Sequence, residues 1–502
     1  MIARLLIANR GEIAVRIARA CRELGIESVA VYSDADADAA HVAAADLAVR
    51  IGPAEAVASY LDVQAVIGAA RATGATAVHP GYGFLSENAP FAEACARACL
   101  TFVGPPADVI ARMGSKIEAR RIAVSAGVPV VPGVTPHDQS DAGLSRALQD
   151  VGLPALIKAS AGGGGRGMRR VERMADAVDA IQSARREAQT AFSDGTLYVE
   201  RLIEHPHHVE VQVMADAFGH AVHVFERECS VQRRHQKVIE ESPSPNLTPV
   251  LRRRITDAAV RVAKAAGYRN AGTIEFLLDL SHGRDDEAPF YFLEMNTRLQ
   301  VEHPVTEQVA GVDLVHAQLQ VASGGPLPWA QDALTQRGHA IEARVYAEDP
   351  AQGFLPQAGR LLLYREPNIP GVRIDSGFRE GDRVPVHYDA LLAKVIATAE
   401  TRAAATTRLS QALARFPILG IHTNVPFLIR VLESEPFRDG TIETGFLDHE
   451  GRALAQPAVL EPPDFVRRVL DQVERTPSRE SSAQNHGIDW DPWSRHTHRS
   501  LR

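Results

Sequence analysis

The order of short apolar runs near the N-terminus is the tightest constraint on the fold. Leu5-Leu6-Ile7-Ala8 is an uninterrupted apolar run of strand length, and Asn9-Arg10-Gly11-Glu12 turns it into an amphipathic helix ending at Leu24-Gly25. A second strand, Ser28-Val29-Ala30-Val31-Tyr32, runs into the acidic loop Asp34-Ala35-Asp36, and further strands read over Ala75–Val78 and Leu100–Val103. Strand–loop–helix alternation of this kind predicts a parallel sheet covered by helices. Ligand loops in such a sheet lie at the strand C-termini, where Asn9-Arg10-Gly11 and His79-Pro80-Gly81 fall. The fingerprint G-x-G-x-x-G is absent after the first strand, which argues against NAD.

At 502 residues the chain has length for about three domains. Its 54 Lys+Arg against 62 Asp+Glu leave a net charge of −8, with no long basic run, so nucleic acid is not an expected partner. The N-terminus is too short in apolar residues for a signal peptide or membrane span. Four cysteines make no disulfide framework or zinc spacing; Cys95 and Cys99, four apart on an expected helix, read as core residues. A cytoplasmic, reduced protein is the expectation.

Only five of the basic residues are lysine: Lys116, Lys158, Lys237, Lys264 and Lys394. In so Arg-rich a chain, a retained Lys marks a place where a compact point charge is needed. Residues from about 131 to 204 form a smaller unit with the strand Ala155–Lys158, a glycine run, a helix from about Arg173 to Phe192 and the strand Leu197–Glu200. From Glu210 the chain is strand-rich, Ser281–Pro289 reads as an exposed insertion, more strands follow from about Arg337 to Glu400, and a helix covers Arg402–Phe416.

Three stretches carry chemistry. The run Ser160-Ala161-Gly162-Gly163-Gly164-Gly165-Arg166-Gly167-Met168 follows a strand ending at Lys158, and several backbone N–H groups without a Cβ can close on an anion there. It lacks the G-K-[ST] of a Walker loop. Thr273–Leu277 and Phe290–Asn296 each place a carboxylate, Glu275 and Glu294, inside an apolar strand, with Asn296 on the face of Glu294. If these strands pair, the oxygen-rich cluster suits Mg²⁺. Continued alternation puts Arg298, Gln300 and Glu302 on the same face. Finally, Arg227–Lys237 is a dense polar-basic stretch, a solvated loop or a partner for polyphosphate and a small anion.

Asn9-Arg10-Gly11-Glu12-Ile13-Ala14, His79–Asn88, the glycine run and Glu294–Pro304 together resemble biotin carboxylase, the ATP-grasp component of biotin-dependent carboxylases, over about residues 1–446. The resemblance implies an α/β and α+β multidomain chain: a Rossmann-like N-terminal domain (1–114), an ATP-grasp domain (115–330) with a mobile lid at about 131–204, a C-terminal biotin carboxylase domain (331–447) and a tail (448–502). It implies ATP, a pair of Mg²⁺ ions or Mn²⁺ in their place, bicarbonate and carrier-borne biotin. Lys116 and Lys158 would bind phosphates under a loop formed by Gly162, Gly163, Gly164, Gly165 and Gly167. Glu200 and the backbone through Leu202 would read adenine, with His208, Gln232 and His235 beside ribose and phosphate. Glu275, Glu294 and Asn296 would hold the metal; Lys237, Arg298, Gln300 and the Val301 backbone would hold bicarbonate. Glu302 would be the general base, and Arg344 would stabilise the biotin enolate.

The resemblance also implies a homodimer, through the charged pair Arg19 and Glu23, although Pro370 stands where relatives can carry an aromatic. No Met-Lys biotinylation motif occurs, so biotin on a separate carrier and a carboxyltransferase on another chain are the expected partners. The final acceptor is left open among acetyl-CoA, propionyl-CoA, methylcrotonyl-CoA and pyruvate. Trp490 and Trp493, beyond a Ser/Gln/Asn-rich stretch, read as a docking segment or a disordered end. Competing readings are another bicarbonate-using ATP-grasp ligase and a non-catalytic ATP-binding scaffold. Arg298–Glu302 with Arg344 favours biotin over the first, and intact Glu275, Glu294, Glu302 and Arg344 favour catalysis over the second.

Overall fold

In a computed structural model describing residues 2–160, 167–281 and 283–456, the N-terminal alternation forms a five-stranded parallel sheet. Its strands are β1 (Arg4–Ile7), β2 (Glu27–Ser33), β3 (Leu47–Gly52), β4 (Ala77–His79) and β5 (Thr101–Phe102), ordered β3-β2-β1-β4-β5. The unbroken apolar run of β1 follows from burial on both faces. Leu5 and Ile7 join Ile13 and Ile17 in one core, while Leu6 and Ala8 join Val29, Val31 and Phe91 in another. The loops after β1 and β4 meet: the Asn9 side-chain amide donates to the Pro80 and Tyr82 carbonyls, 2.7 Å each. Gly81 is required there, since a Cβ would lie 2.8 Å from Asn9 Nδ2 and its φ is +62°. Cys95 is buried as expected, but its helix (Ala89–Arg97) stops short of Cys99, which is exposed at φ +57°. The two do not share a core.

A second, antiparallel sheet contains β6 (Gly133–Val134), β7 (Ala155–Ala159), β8 (Arg169–Val171) and β9 (Leu197–Arg201), ordered β6-β9-β7-β8. Helices Asp141–Val151 and Ala177–Phe192 cover it through Leu144, Leu148, Ile181 and Ala184. Gly162, Gly163, Gly164 and Gly165 lie outside the described residues, as do Ala161, Trp490 and Trp493; Gly167 is described, at φ +72°.

The third sheet has eight antiparallel strands: β10 (His207–Ala215), β11 (Ala221–Arg233), β12 (Gln236–Ser242), β13 (Asn270–Leu278), β14 (Phe290–Asn296), β15 (His339–Tyr346), β16 (Val372–Ser376) and β17 (Leu391–Ala399). Their order is β14-β13-β10-β11-β12-β15-β17-β16. Three features differ from the sequence reading. The polar-basic stretch is no loop: it is the end of β11 and start of β12, joined at Arg234-His235 with φ +48° and +65°. An 18-residue helix, Pro249–Ala266, interrupts the strand-rich stretch. The Thr248 hydroxyl caps it by accepting from Leu251 N–H, and Gly267 ends it at φ +67°. Lastly, β14 stops at Asn296, and Arg298, Gln300 and Glu302 lie in the connection to helix His303–Ala310. Pro304 at the start of that helix favours helical entry over a continued strand.

Candidate active site

Strands β13 and β14 pair so that Glu275 faces Glu294 and Thr273 faces Asn296. The expected hairpin therefore brings both carboxylates together, with Asn296 Nδ2 donating 2.8 Å to Glu275 Oε1. Beyond Asn296, hydrogen bonds rather than strand period keep the polar side chains on one wall. Arg298 donates 2.8 Å to Gln300 Oε1 and 2.9 Å to Glu87 Oε2.

Lys237, near the start of β12, is the centre of the site. Its ammonium donates to Glu210, to Glu275 (2.9 Å) and to Glu302 (2.7 Å). The fully buried Glu210 is held from the other side by Arg227 at 2.5 Å. Arg227 also donates to Gln212, Thr306 and Thr273, so its guanidinium is buried with its donors satisfied. Arg344 on β15 contacts Glu302 at 3.0 Å and Glu240 at 2.5 Å. Burial would raise the Glu302 carboxyl, but Lys237, Arg344 and Arg227 outweigh it and hold the group well below the usual range. Burial likewise opposes Glu275, which Lys237 and His208 hold down. Lys237 gains the reciprocal effect: against burial, Glu210, Glu275 and Glu302 raise it well above an ordinary lysine.

Glu294 differs. Burial and then the facing Glu275 raise its pKa, with Lys116 offsetting part of the shift. Two facing carboxylates that repel, an adjacent amide and an all-oxygen donor set fit a divalent cation, whose charge would relieve the repulsion. Burial lowers Lys116, opposed by Glu294, and burial lowers His235. Burial would also lower His208, but Glu275, 2.9 Å from its Nε2, raises it.

These groups surround a cavity of about 910 Å³. Lys116, His208, His235, Lys237, Glu275, Glu294, Asn296, Arg298, Gln300, Val301 and Arg344 line it, together with the Asn9–Glu12 and Tyr82–Phe84 loops. Glu302 is fully buried behind Lys237 and Arg344. Among the described residues, five expected ones besides Glu302 lie off this cavity wall: Lys158, Gly167, Glu200, Leu202 and Gln232. Lys158 pairs with Glu200 at 2.6 Å, and Arg120 holds the other Glu200 oxygen. The Leu202 N–H donates to the Pro154 carbonyl at 3.0 Å. Gln232 is buried opposite Lys237 in the β11–β12 ladder. Sequence reasoning missed Glu210, although it obeys the rule that found Glu275: a carboxylate inside an apolar strand, here Val209–Val213. It also missed Glu240 and Glu12, whose partners come from distant strands.

Three family models match the chain in collinear order. They are the biotin carboxylase N-terminal domain over 1–110, the ATP-binding domain of carbamoyl-phosphate synthase L chain over 115–330, and the biotin carboxylase C-terminal domain over 342–449. Biotin carboxylase 1 of Bacillus subtilis (strain 168) is 49% identical over 448 residues, covering 89% of this chain and 98% of the relative. The mitochondrial methylcrotonoyl-CoA carboxylase subunit alpha of Oryza sativa is 50% identical over 448 residues, again 89% of this chain but 60% of the relative. The chain thus spans about three-fifths of that subunit's length. Among solved structures, a Campylobacter jejuni biotin carboxylase in complex with beta-gamma-ATP superposes with a TM-score of 0.85 at 43% identity, covering 89% of this chain and 99% of that one. The biotin carboxylase domain dimer of Hydrogenobacter thermophilus 2-oxoglutarate carboxylase, complexed with MgADP, ADP and bicarbonate, gives 0.86 at 41% identity, covering 91% and 99%. Matched in sequence and fold over nine-tenths of its length, the chain belongs to the biotin carboxylase family, whose members are ATP-dependent ligases of the ATP-grasp type.

Proposed function

We propose that this chain carboxylates biotin on a carrier protein or domain, using ATP and bicarbonate, as the first half-reaction of an acetyl-CoA or other acyl-CoA carboxylase. The observation that carries the reading is Glu302 gripped between Lys237 and Arg344 at the foot of the cavity. Lys116 and Lys158, with the glycine loop, bind the ATP phosphates; Glu200 and Leu202 serve the adenine, and His208, Gln232 and His235 the ribose and phosphate side. Glu275, Glu294 and Asn296 would hold Mg²⁺, which when bound neutralises phosphate oxygens. Lys237, Arg298, Gln300 and the Val301 backbone hold bicarbonate.

Bicarbonate entering this site competes with Glu302 for Lys237 and Arg344. Glu302 then loses two of the three cations that keep it ionised and becomes a stronger base, able to take the bicarbonate proton. The resulting carbonate oxygen attacks the γ-phosphorus of ATP, the bond to the ADP oxygen breaks, and carboxyphosphate forms. Carboxyphosphate separates into CO₂ and phosphate, and the phosphate takes the N1′ proton of biotin. Arg344 opposes the charge of the biotin enolate while N1′ captures CO₂. A carboxyltransferase completes the acyl-CoA carboxylase, and Arg19 and Glu23 mark the contact of a homodimer.

The test is ATP hydrolysis by the purified chain with Mg²⁺ and bicarbonate, with and without free biotin, beside Arg344→Ala. The reading expects biotin to stimulate turnover and the substitution to abolish the stimulation. Turnover that needs bicarbonate but ignores biotin would instead mark a ligase with another acceptor. MgADP binding without any turnover would mark a scaffold.

A further inference from the structure

Of the five lysines, Lys394 has no place in this scheme. Lys116 and Lys237 line the cavity, Lys158 pairs with Glu200, and Lys264 is exposed in the last turn of helix Pro249–Ala266. Lys394 is fully buried in β17, with Arg344 as its in-register neighbour on β15 and Asp375 on β16. Its ammonium donates 2.8 Å to the Val301 carbonyl, lies 3.1 Å from Glu12 Oε1 and 3.9 Å from Asp375 Oδ2. Glu12 also accepts from the Tyr82 hydroxyl. One point charge thus ties the first turn of helix Gly11–Glu23, itself bonded to Tyr82 of the loop after β4, to the turn that enters helix His303–Ala310.

The Val301 carbonyl and the Glu302 N–H belong to one planar peptide unit, so holding the first sets the direction in which Glu302 leaves the turn. A guanidinium in the same place would present a broad planar fork instead of a compact charge. We propose that Lys394 is a positioning residue, pinning the Val301–Glu302 peptide against Glu12 so that the Glu302 carboxylate sits between Lys237 and Arg344. This rests on the reading above, in which Glu302 accepts the bicarbonate proton.

A merely structural lysine would only neutralise Glu12, Asp375 and the buried Glu342, and two variants separate the roles. Lys394→Gln and Lys394→Met both lose the charge, but Gln keeps an N–H that can donate to the Val301 carbonyl. The assays are thermal melting, MgADP affinity and bicarbonate-dependent, biotin-stimulated ATP turnover. Positioning expects similar melting temperatures for the two variants, MgADP affinity within threefold of the parent, and kcat at least tenfold lower for Met than for Gln. Equal kcat for Gln and Met, or a Met variant within threefold of the parent, would overturn the proposal. Should the Met variant fail to fold, Lys394→Arg replaces it. That substitution keeps the charge but displaces the turn, so kcat falls at least tenfold, and an Arg variant as active as the parent overturns the proposal. A parent chain without biotin-stimulated turnover would refute the carboxylase reading itself, which the comparison of variants does not touch.

Discussion

Glu302→Gln removes one charge from a cluster in which no cation depends on Glu302 alone. Lys237 keeps Glu210 and Glu275, Arg344 keeps Glu240 at 2.5 Å, and Arg227 keeps Glu210 at 2.5 Å. Stranding a buried charge costs about 3–5 kcal/mol, but that situation does not arise here. The amide oxygen still accepts from one cation and loses a charge-assisted bond to the other, so the expected loss of stability is about 2 kcal/mol. A sign check on pH sharpens this. The folded carboxyl lies well below its ordinary value, so the stability it contributes is present above about pH 4.3 and is lost as pH falls through the depressed folded value. The stability gap between parent and variant should therefore narrow below about pH 4. Activity should suffer far more. A general base contributes about 10²–10⁴-fold, or roughly 3–5 kcal/mol of barrier. ATP turnover at saturating bicarbonate and biotin should fall by at least 100-fold, with MgADP affinity unchanged, because neither Lys116 nor His208 contacts Glu302. A variant retaining more than a tenth of parental kcat would refute the assignment of Glu302 as the base.

Arg227→Met should cost about 3–5 kcal/mol in urea denaturation, since it removes the buried partner of Glu210 and leaves Gln212, Thr273 and Thr306 without their donor. Glu294→Gln should weaken MgADP at least tenfold by calorimetry while leaving metal-free ADP binding unchanged; equal losses would remove Glu294 from the metal site. Burial raises Glu240 to about 7, with Arg344 opposing the shift. Stability from such a group is present below the ordinary carboxylate value and is lost as pH rises through about 7. Glu240→Gln should therefore gain about 1–3 kcal/mol relative to the parent between pH 5 and pH 8, read from melts at both values.

How much of this was legible in the chain depends on the range of the interaction. The core of β1 was readable because burial on both faces leaves an unbroken apolar run, and Glu275 and Glu294 stood out because an apolar strand offers no water to a carboxylate. Glu210, between Val209 and Val211, carries the same signal. Thr248, Pro249 and Gly267 signal the two ends of helix Pro249–Ala266, but apolar strands flank it on both sides and blur its period. A strand period would put Arg298, Gln300 and Glu302 on one wall, but the strand ends at Asn296. A loop hydrogen bond keeps Arg298 and Gln300 on that wall, and Glu302 lies behind it.

Contacts across the sheet were beyond period and motif. Alternation tells which face a side chain takes, but not which strands lie side by side. Lys237 reaches Glu302 across 65 residues and Arg344 reaches it across 42. Both contacts exist because β12 lies between β11 and β15, an order in which strands 97 residues apart at their nearest ends become neighbours. Resemblance supplied the roles of Lys237, Glu302 and Arg344, but it did not supply the groups behind them. Glu210, Glu240, Arg227 and Lys394 are all fully buried, and strand order places them: Glu210 touches Lys237, Glu240 touches Arg344, Arg227 backs Glu210, and Lys394 holds the Val301 carbonyl. The electrostatic balance that holds the Glu302 carboxyl below its ordinary range is thus a property of how the strands are ordered. Substitutions at these four positions should alter turnover through the placement of Lys237, Arg344 and Glu302, although none of the four itself lines the cavity.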